Sequence, residues 1–241
     1  MIKLENIECK IDKNKSIFKN ISFSIKTKSR CLIIGESGVG KTTLLKIIAG
    51  LISPDNGIAM VDGVNTALLS EQKGKIGMVF QNNALFDNLT VGENIVFPLK
   101  TLFKKNDLEA HAIGIKLMSK LNLGDIWDKK IKVLSGGMQK RVAIARTLAQ
   151  EPRCLLLDEP FQGLDPISSQ KILDLLYEVA KESSPTMIIV SNEIKYVLAF
   201  VNNVGILEQD RFIFFDTREN FINSRDTNIK RYLKLVGGVL S

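Results

Sequence analysis

The sequence predicts an α/β fold with a mainly parallel sheet, on the basis of two observations. Short apolar runs of strand length recur along the chain, at residues 31–34, 154–157, 186–190 and 204–207. Longer helical patterns, such as that of residues 167–182, lie between several of these runs. Strands that alternate with helices are typical of a parallel sheet covered by helices.

A different pattern occupies the middle of the chain. From about residue 82 to residue 150 the apolar side chains recur with helical periodicity. The residues that show it include Leu117, Leu121 and Leu123. We therefore expect one domain over residues 1–241, in which a helical subdomain at 82–150 is inserted into a core made of residues 1–81 and 151–241.

The first residues of the chain predict an antiparallel β subdomain. Residues 2–4 and 21–25 alternate between apolar and polar side chains, as strands with one buried face do. The polar residues 12–15 between them suit a hairpin turn. Two further strands are predicted at residues 57–61 and 75–80.

A phosphate-binding loop is predicted directly after the apolar run at 31–34. The next eight residues read Gly-Glu-Ser-Gly-Val-Gly-Lys-Thr and match G-x-x-x-x-G-K-[ST] at every fixed position. Glycines let several backbone N–H groups converge on phosphate oxygens, and the positive end of the following helix adds to the attraction. Lys41 is expected to reach the β- and γ-phosphates, and Thr42 to ligate Mg²⁺. The residues predicted to contact the nucleotide here are Gly35, Glu36, Ser37, Gly38, Val39, Gly40, Lys41, Thr42 and Thr43.

An acidic pair follows the apolar run at 154–157. Asp158 is placed to hold Mg²⁺, directly or through water, and Glu159 to polarise a water molecule for attack on the γ-phosphate. Gln81 follows another predicted strand and is long enough to contact both Mg²⁺ and that water. An isolated Asp-Glu pair would more often mark only the end of a strand. The phosphate loop upstream favours the functional interpretation.

A second anion-binding helix start is predicted at residues 134–139, which read Leu-Ser-Gly-Gly-Met-Gln. Ser135 is expected to cap the helix, and Gly136 and Gly137 are small enough for a nucleotide to approach its first N–H groups. Gln139 completes this set of predicted nucleotide contacts. Without the other motifs, an ordinary capped helix would be the better interpretation.

In this order, the motifs resemble those of the ATP-binding cassette family, and the resemblance covers nearly the whole chain. It implies a P-loop NTPase core, ATP and Mg²⁺ as cofactors, and ATP hydrolysis with Glu159 and Gln81 as catalytic residues. In the family, the second anion site closes over the ATP of a partner protomer, so the implied unit is a head-to-tail dimer of this chain. Residues 163–165, Gly-Leu-Asp, match the segment that links the two sites across that interface.

Two positions depart from the family pattern. Where the family has a histidine that contacts the γ-phosphate, this chain has Asn192, which is expected to take the catalytic position. Asn192 can donate a hydrogen bond but cannot carry charge, so we expect slower hydrolysis rather than weaker ATP binding. The adenine-stacking position, often aromatic, is Ile11 here, with Phe18 as an alternative. The only histidine, His111, is expected at the surface.

A finer resemblance concerns the runs at residues 80–91 and 158–166, which are similar to those of the ATPase subunits of Mla/Mce-type lipid transporters. The distinctive parts are Ala-Leu-Phe at 84–86 and Phe161. This similarity implies a subunit that energises a separate transmembrane permease, for phospholipid or a related hydrophobic solute. Two alternatives remain open: an ATPase subunit for another solute, and a non-transport ATPase that acts on nucleic acid or in assembly.

Four apolar residues in the helical segment have two interpretations. They either line a groove that receives a coupling helix of the permease, or pack the interior of the helical subdomain. The residues are Phe86, Val96, Phe97 and Leu99.

Composition limits the partners. The formal net charge is +7, but the lysines are dispersed, so no nucleic acid partner is expected. The three cysteines have no metal-site spacing and suit a reducing cytosol. The apolar runs are far shorter than the roughly 20 residues that span a bilayer, and the N-terminal residues show no signal-peptide pattern. We therefore expect a soluble protein whose pore belongs to another chain.

These expectations define a location and further partners. The chain is expected to bind peripherally at the cytoplasmic face of the inner (plasma) membrane, with a plastid equivalent left open. A solute-binding or lipid-binding subunit is a further partner that the resemblance allows, beside the permease and a second copy of the chain.

Overall fold

The structure, a computed structural model, describes residues 1–12, 15–71 and 74–235. Within these residues, strands and α-helices follow one another in the order β1 (Ile2–Asp12), β2 (Lys15–Ile25), β3 (Arg30–Ile34), α1 (Lys41–Ile48), β4 (Asn56–Val61), β5 (Val64–Asn65), β6 (Ile76–Val79), α2 (Val91–Thr101), α3 (Asp107–Lys120), α4 (Gly136–Leu148), β7 (Cys154–Asp158), α5 (Pro166–Glu182), β8 (Thr186–Val190), α6 (Ile194–Val197), β9 (Asn203–Glu208), β10 (Arg211–Thr217), α7 (Arg218–Ile222) and α8 (Thr227–Leu235). Short 3₁₀ segments occur at Thr66–Glu71 and Ile131–Val133.

The chain forms two compact units. The first contains Met1–Glu71 and Pro185–Ser241, and the second contains Gln72–Ser184. The second unit includes the predicted helical segment at 82–150 together with β6, β7 and α5. The boundaries of the helical subdomain at residues 82 and 150, which the helical periodicity of the apolar residues indicates, remain a prediction.

The first unit begins with the antiparallel sheet that the sequence predicts, in the strand order β2-β1-β4-β5. Ile2 pairs with Ile25 on one side and with Val61 on the other. The alternating apolar side chains of β1 and β2 are buried on one face, as residues Ile2, Leu4 and Ile21 show. The predicted turn at 12–15 includes residues 13 and 14, which lie outside the described residues.

A second sheet of the first unit is built around β3. Strands β8 and β9 flank β3 and run parallel to it, while β10 is antiparallel to β9. All five residues of β8 are buried, as are four of the five in β3. A strand covered on both faces has no polar side to alternate with, which explains the continuous apolar runs in the sequence.

The second unit combines the parallel pair β6 and β7 with the helices α2 to α5. A capping box starts α2, because the Thr90 side chain accepts from the Glu93 N–H and the Glu93 carboxylate accepts from the Thr90 N–H. The predicted helical pattern through Leu121 and Leu123 is wrong at its end, since α3 stops at Lys120. Both leucines are nevertheless buried. The spacing of the apolar residues therefore indicated buried positions in the loop after α3 as well as in the helix.

Trp127, the only tryptophan of the chain, packs between two glycines of α2 and α3. A Cβ atom at Gly92 would lie 2.1 Å from the Trp127 ring, and one at Gly114 would lie 2.8 Å from it. The ring of the exposed His111 lies 4.4 Å from the Trp127 ring, centroid to centroid. The surface position predicted for His111 is therefore confirmed.

We expect Gly92→Ala to lower the free energy of unfolding by about 1–3 kcal/mol, because a methyl group there overlaps the indole ring. Denaturant unfolding followed by Trp127 fluorescence measures the change. Gly136→Ala is the matched control, since nothing lies within 4 Å of a Cβ atom at that position. Equal stability of Gly92→Ala and wild type would contradict this packing.

No helix in the described ranges has the length and apolar character needed to cross a membrane.

Candidate functional site

The phosphate loop leaves the carboxyl end of β3 in the first unit. Gly38 and Gly40 have φ angles of 80° and 103°, in the left-handed region that favours glycine. A Cβ atom at Gly40 would lie 2.4 Å from Cγ2 of Ile17. One at Gly35 would lie 2.2 Å from the carbonyl oxygen of Leu207. Larger residues at Gly35 and Gly40 would therefore displace the loop.

The start of α1 offers the donors that a phosphate group needs. The helix follows Gly40, where no side chain provides a capping hydrogen bond, and the first N–H groups of an α-helix lack intrahelical partners. The buried Lys41 ammonium donates to the carbonyl oxygens of Gly35 at 2.7 Å and Glu36 at 2.9 Å. Phosphate oxygens can replace these carbonyls as acceptors at the positive end of the helix. The donor set fits a nucleotide phosphate.

Asn192 lies at the same edge of this sheet as the phosphate loop. In the parallel pair of β3 and β8, Ile33 lies opposite Val190, and the Ser191 N–H donates to the Ile33 carbonyl at 3.3 Å. The carboxyl ends of parallel strands meet at one edge, where ligands of α/β folds bind. Asn192 follows Ser191 directly and is exposed at this edge.

Of the two predicted adenine-stacking residues, the structure describes the side chain of Phe18 but not that of Ile11. Phe18 is fully buried, and a Cβ atom at Gly40 would lie 2.8 Å from its ring. Its aromatic face is therefore covered, and the expectation that Phe18 substitutes as a stacking residue is wrong in this conformation. The side chain of Ile11 lies outside the described residues.

The acidic pair lies at the corresponding edge of the parallel strands of the second unit. Val79 of β6 pairs with Leu157 of β7, so Gln81 and Asp158 both leave the sheet at its carboxyl edge. Asp158 is 1% exposed and Glu159 is 7% exposed. Glu159 has a φ angle of 45°, a left-handed conformation that is uncommon for a residue other than glycine and that concentrates at functional sites.

A buried lysine, Lys140 of α4, lies next to these groups. Its Nζ atom donates to the carbonyl oxygen of Gln81 at 2.8 Å and to that of Phe80 at 3.4 Å. Burial lowers the pKa of Lys140 to about 8, while the negative charges of Asp158 and Glu159 act in the opposite direction. The lysine brings positive charge to the loop that follows β6.

The Gln81 side chain has a partner of its own. Its Nε2 atom donates to Oε1 of Gln162 at 2.7 Å. Gln162 lies in the turn after Glu159, where its N–H donates to the Glu159 carbonyl at 3.3 Å. Sequence reasoning missed both Gln162 and Lys140, because no local pattern indicates which side chains meet across the fold.

The second predicted anion site is a capped helix start. Ser135 is the N-cap of α4, and its Oγ atom accepts from the Met138 N–H at 3.3 Å. Ser135 and Gly136 are exposed, and a Cβ atom at Gly136 would meet nothing within 4 Å. At Gly137 the nearest atom to a Cβ is the Ser168 Oγ, at 3.0 Å. The helix start is open to a ligand on one side.

Gln139 faces its own loop. Its Nε2 atom donates to the carbonyl oxygens of Ile131 at 3.2 Å and Leu134 at 3.3 Å. These bonds hold the segment that leads into Ser135. A nucleotide contact by Gln139 remains a prediction, and in this conformation its amide N–H groups serve the protein backbone.

Comparison with known proteins identifies the family. A model of the family described as ABC transporter matches residues 18–162. The intermembrane phospholipid transport system ATP-binding protein MlaF of Haemophilus influenzae is 31% identical, over 97% of this chain and 90% of that protein. The molybdate/tungstate import ATP-binding protein WtpC of Pyrococcus abyssi is 34% identical, over 97% of this chain and 67% of that protein.

A solved structure agrees with the sequence comparison. It is the dimeric post-hydrolysis state of the ATP-binding cassette MJ0796 bound to ADP and Pi, with a TM-score of 0.83 and 31% identity. The similarity covers 90% of this chain and 99% of that one. The predicted fold, a P-loop NTPase core with an antiparallel β subdomain and an inserted helical subdomain, is confirmed. The chain therefore belongs to the ABC transporter family, as one of its ATP-binding and ATP-hydrolysing subunits.

Proposed function

We propose that this ATPase subunit binds Mg²⁺ together with ATP, works as a head-to-tail dimer, and energises a separate membrane permease for phospholipid or a related hydrophobic solute. It would bind the permease from the cytoplasmic face of the membrane. The observation that carries the permease proposal is an exposed aromatic pair in the second unit, Phe86 and Phe97.

The aromatic pair is held in place at the surface. Phe86 is 40% exposed and Phe97 is 37% exposed, and their ring centroids lie 4.6 Å apart. The Arg146 guanidinium lies 5.6 Å from the Phe86 ring centroid and donates to the carbonyl oxygens of Asn83 and Ala84. A fixed pair of exposed aromatic rings favours contact with an apolar helix of a partner.

The other two apolar residues of the predicted groove have a packing role. Val96 is 4% exposed and Leu99 is 2% exposed, and both belong to the core cluster around Ala110 and Ala149. The proposed coupling-helix groove is therefore restricted to Phe86, Phe97 and their exposed neighbours.

Three oxygen ligands would hold Mg²⁺: the Thr42 hydroxyl, the Gln81 amide and the Asp158 carboxylate. These hard oxygen donors are the ligands that Mg²⁺ prefers. When bound, the ion neutralises charge on the β- and γ-phosphates of the substrate.

The other predicted site residues would each have a separate role in ATP hydrolysis. Lys41 would pair with the β- and γ-phosphates, and the first N–H groups of α1 would bind their oxygens. Glu159 would accept a proton from the attacking water, which Gln81 would orient. Asn192 would donate a hydrogen bond to the departing γ-phosphate, since it lies at the edge of the sheet from which the phosphate loop leaves.

The head-to-tail dimer is supported by the second anion site. The open start of α4 at Ser135 and Gly136 has the features of a phosphate site, while the phosphate loop already supplies one such site in the same chain. In the dimer, the α4 start would complete the ATP site of the partner.

The lipid assignment rests on the likeness to MlaF, and the likeness to WtpC supports a second candidate, transport of another solute. Affinity purification of the tagged full chain from native membranes separates them. We expect a membrane-spanning subunit to co-purify, with phospholipid bound to the complex. Recovery of a complex without enriched phospholipid would contradict the lipid assignment.

A double variant tests the proposed coupling-helix groove in the same purification. Phe86→Ala/Phe97→Ala is expected to lose the membrane subunit, because the variant removes the aromatic pair. Tyr177→Ala is the matched control, since Tyr177 is an aromatic residue of α5 that is 42% exposed. Equal recovery with the double variant and wild type would contradict the proposed groove.

Asn192 variants test the departure from the family pattern. A hydrogen-bond donor directed at the charge of the transition state typically raises the rate by about 10²–10³. An asparagine keeps part of that effect, so we expect kcat with Asn192 to be roughly tenfold lower than with a histidine at this position. Asn192→His should raise kcat with little change in ATP affinity, and Asn192→Ala should lower kcat. ATPase assays with the permease present measure this. Equal turnover of the three forms would exclude a catalytic role for this position.

A further inference from the structure

Gln81 is held at its side chain. Its Nε2 atom donates to Oε1 of Gln162 at 2.7 Å, although both residues are exposed and could bond to water instead. A hydrogen bond between exposed amides contributes little to stability, but it favours one orientation of the Gln81 side chain over the others. Because Nε2 makes this bond, the carbonyl oxygen is the end of the amide that is directed elsewhere. That oxygen is the atom that a metal ion or an attacking water requires.

Gln81 is also held at its backbone. The Lys140 ammonium, in a side chain only 3% exposed, lies 2.8 Å from the Gln81 carbonyl oxygen. A hydrogen bond from a charged donor in a buried setting is stronger than a neutral one. Lys140 belongs to α4, the helix that begins after Ser135. Lys140 therefore connects α4 to the backbone at Gln81.

The two contacts connect Gln81 to different parts of the site. Gln162 lies in the turn that begins at Glu159, and its N–H donates to the Glu159 carbonyl at 3.3 Å. Lys140 lies one turn from Gly136 and Gly137 along α4. Gln81 is thus linked to the turn that contains the proposed base and to the helix that contains the second anion site.

We propose that Gln162 and Lys140 are positioning residues that hold Gln81 in the orientation needed for ATP hydrolysis, Gln162 through the side chain and Lys140 through the backbone. The inference deepens the proposed function and rests on the role given there to Gln81. In this proposal, neither residue contacts the reacting atoms. Both act by restricting the orientations of Gln81.

A double-mutant cycle between Gln81 and Gln162 tests the inference on the full chain, with kcat and KM measured for ATP in the presence of Mg²⁺. We expect Gln162→Leu to lower kcat by about threefold to tenfold, the range that one neutral hydrogen bond corresponds to, with KM little changed. In a Gln81→Ala background, Gln162→Leu should have no further effect, because nothing remains to be positioned. Gln162→Glu retains the acceptor and the length of the side chain, and should restore most of the rate.

Matched controls separate positioning from folding. Gln170→Leu removes a similar exposed bond, in which Nε2 of Gln170 donates to Asp174 at 2.7 Å on α5, and should leave kcat unchanged. Lys140→Arg keeps the charged donor and should retain more activity than Lys140→Met. Thermal unfolding of each variant identifies any change that arises from lost stability.

The outcomes distinguish the inference from the proposed function. If Gln81→Ala slows hydrolysis but Gln162→Leu and Lys140→Met do not, the positioning inference is overturned and the role of Gln81 stands. Additive effects of Gln81→Ala and Gln162→Leu would also overturn it. If Gln81→Ala leaves kcat unchanged, both the proposed role of Gln81 and the inference fall. Family membership and ATP hydrolysis by the chain are unaffected in each case.

Discussion

Glu159→Gln is expected to stop ATP turnover while ATP stays bound. The amide cannot accept a proton from the attacking water, and general-base catalysis typically contributes about 10²–10⁴ in rate, so kcat should fall by that factor. The size and shape of the side chain are retained, although one acceptor oxygen becomes an NH2 donor, so the turn around its φ angle of 45° should survive the substitution. Steady-state ATPase assays and equilibrium binding of labelled ATP measure the two effects separately.

The same variant should accumulate as a dimer in the presence of ATP, because the proposed interface contains ATP that is no longer hydrolysed. Size-exclusion chromatography with and without ATP detects the dimer. Glu178→Gln provides a matched control on the exposed surface of α5. Hydrolysis near the wild-type rate in Glu159→Gln, together with a monomer in the presence of ATP, would show that Glu159 is not the general base.

Lys41→Ala is expected to abolish productive nucleotide binding. The substitution removes the ammonium that donates to the Gly35 and Glu36 carbonyls, and with it the charge that is proposed to face the phosphates. Hydrogen bonds to charged groups contribute about 1.5–3 kcal/mol each, so ATP affinity should fall by at least tenfold. Lys46→Ala, in the last turn of the same helix, is the control that should bind ATP normally. Binding of ATP by Lys41→Ala with wild-type affinity would contradict the role of the lysine.

Mixing two inactive variants extends this prediction to the dimer. A Lys41→Ala chain combined with a Ser135→Arg chain places both defects in one composite site and leaves the other site intact. We expect ATPase activity in the mixture above that of either variant alone. If heterodimers form, as confirmed independently, and activity does not recover, then the sites are not shared between protomers.

The nucleotide motifs could be predicted because each one is contiguous. A glycine-rich loop, an apolar strand that leads into Asp158 and Glu159, and a helix capped by Ser135 are each determined by local backbone chemistry. The strand predicted at Thr186–Val190 has the same bounds in the structure, since buried parallel strands have a strong apolar pattern. By contrast, β10 at Arg211–Thr217 was not predicted. Its residues are only partly buried, so they show no clear apolar pattern, and the strand is formed by its pairing with β9.

The sequence by itself determined the family and the phosphate loop and predicted the catalytic residues, because glycine conformations, helix caps and acidic strand ends are short-range properties. The tertiary structure decided which side chains support them. It placed Gln162 against Gln81, buried Lys140 beside the Gln81 carbonyl, and buried the Phe18 side chain completely. These outcomes depend on contacts between residues tens of positions apart, which packing and burial select and which no local pattern encodes.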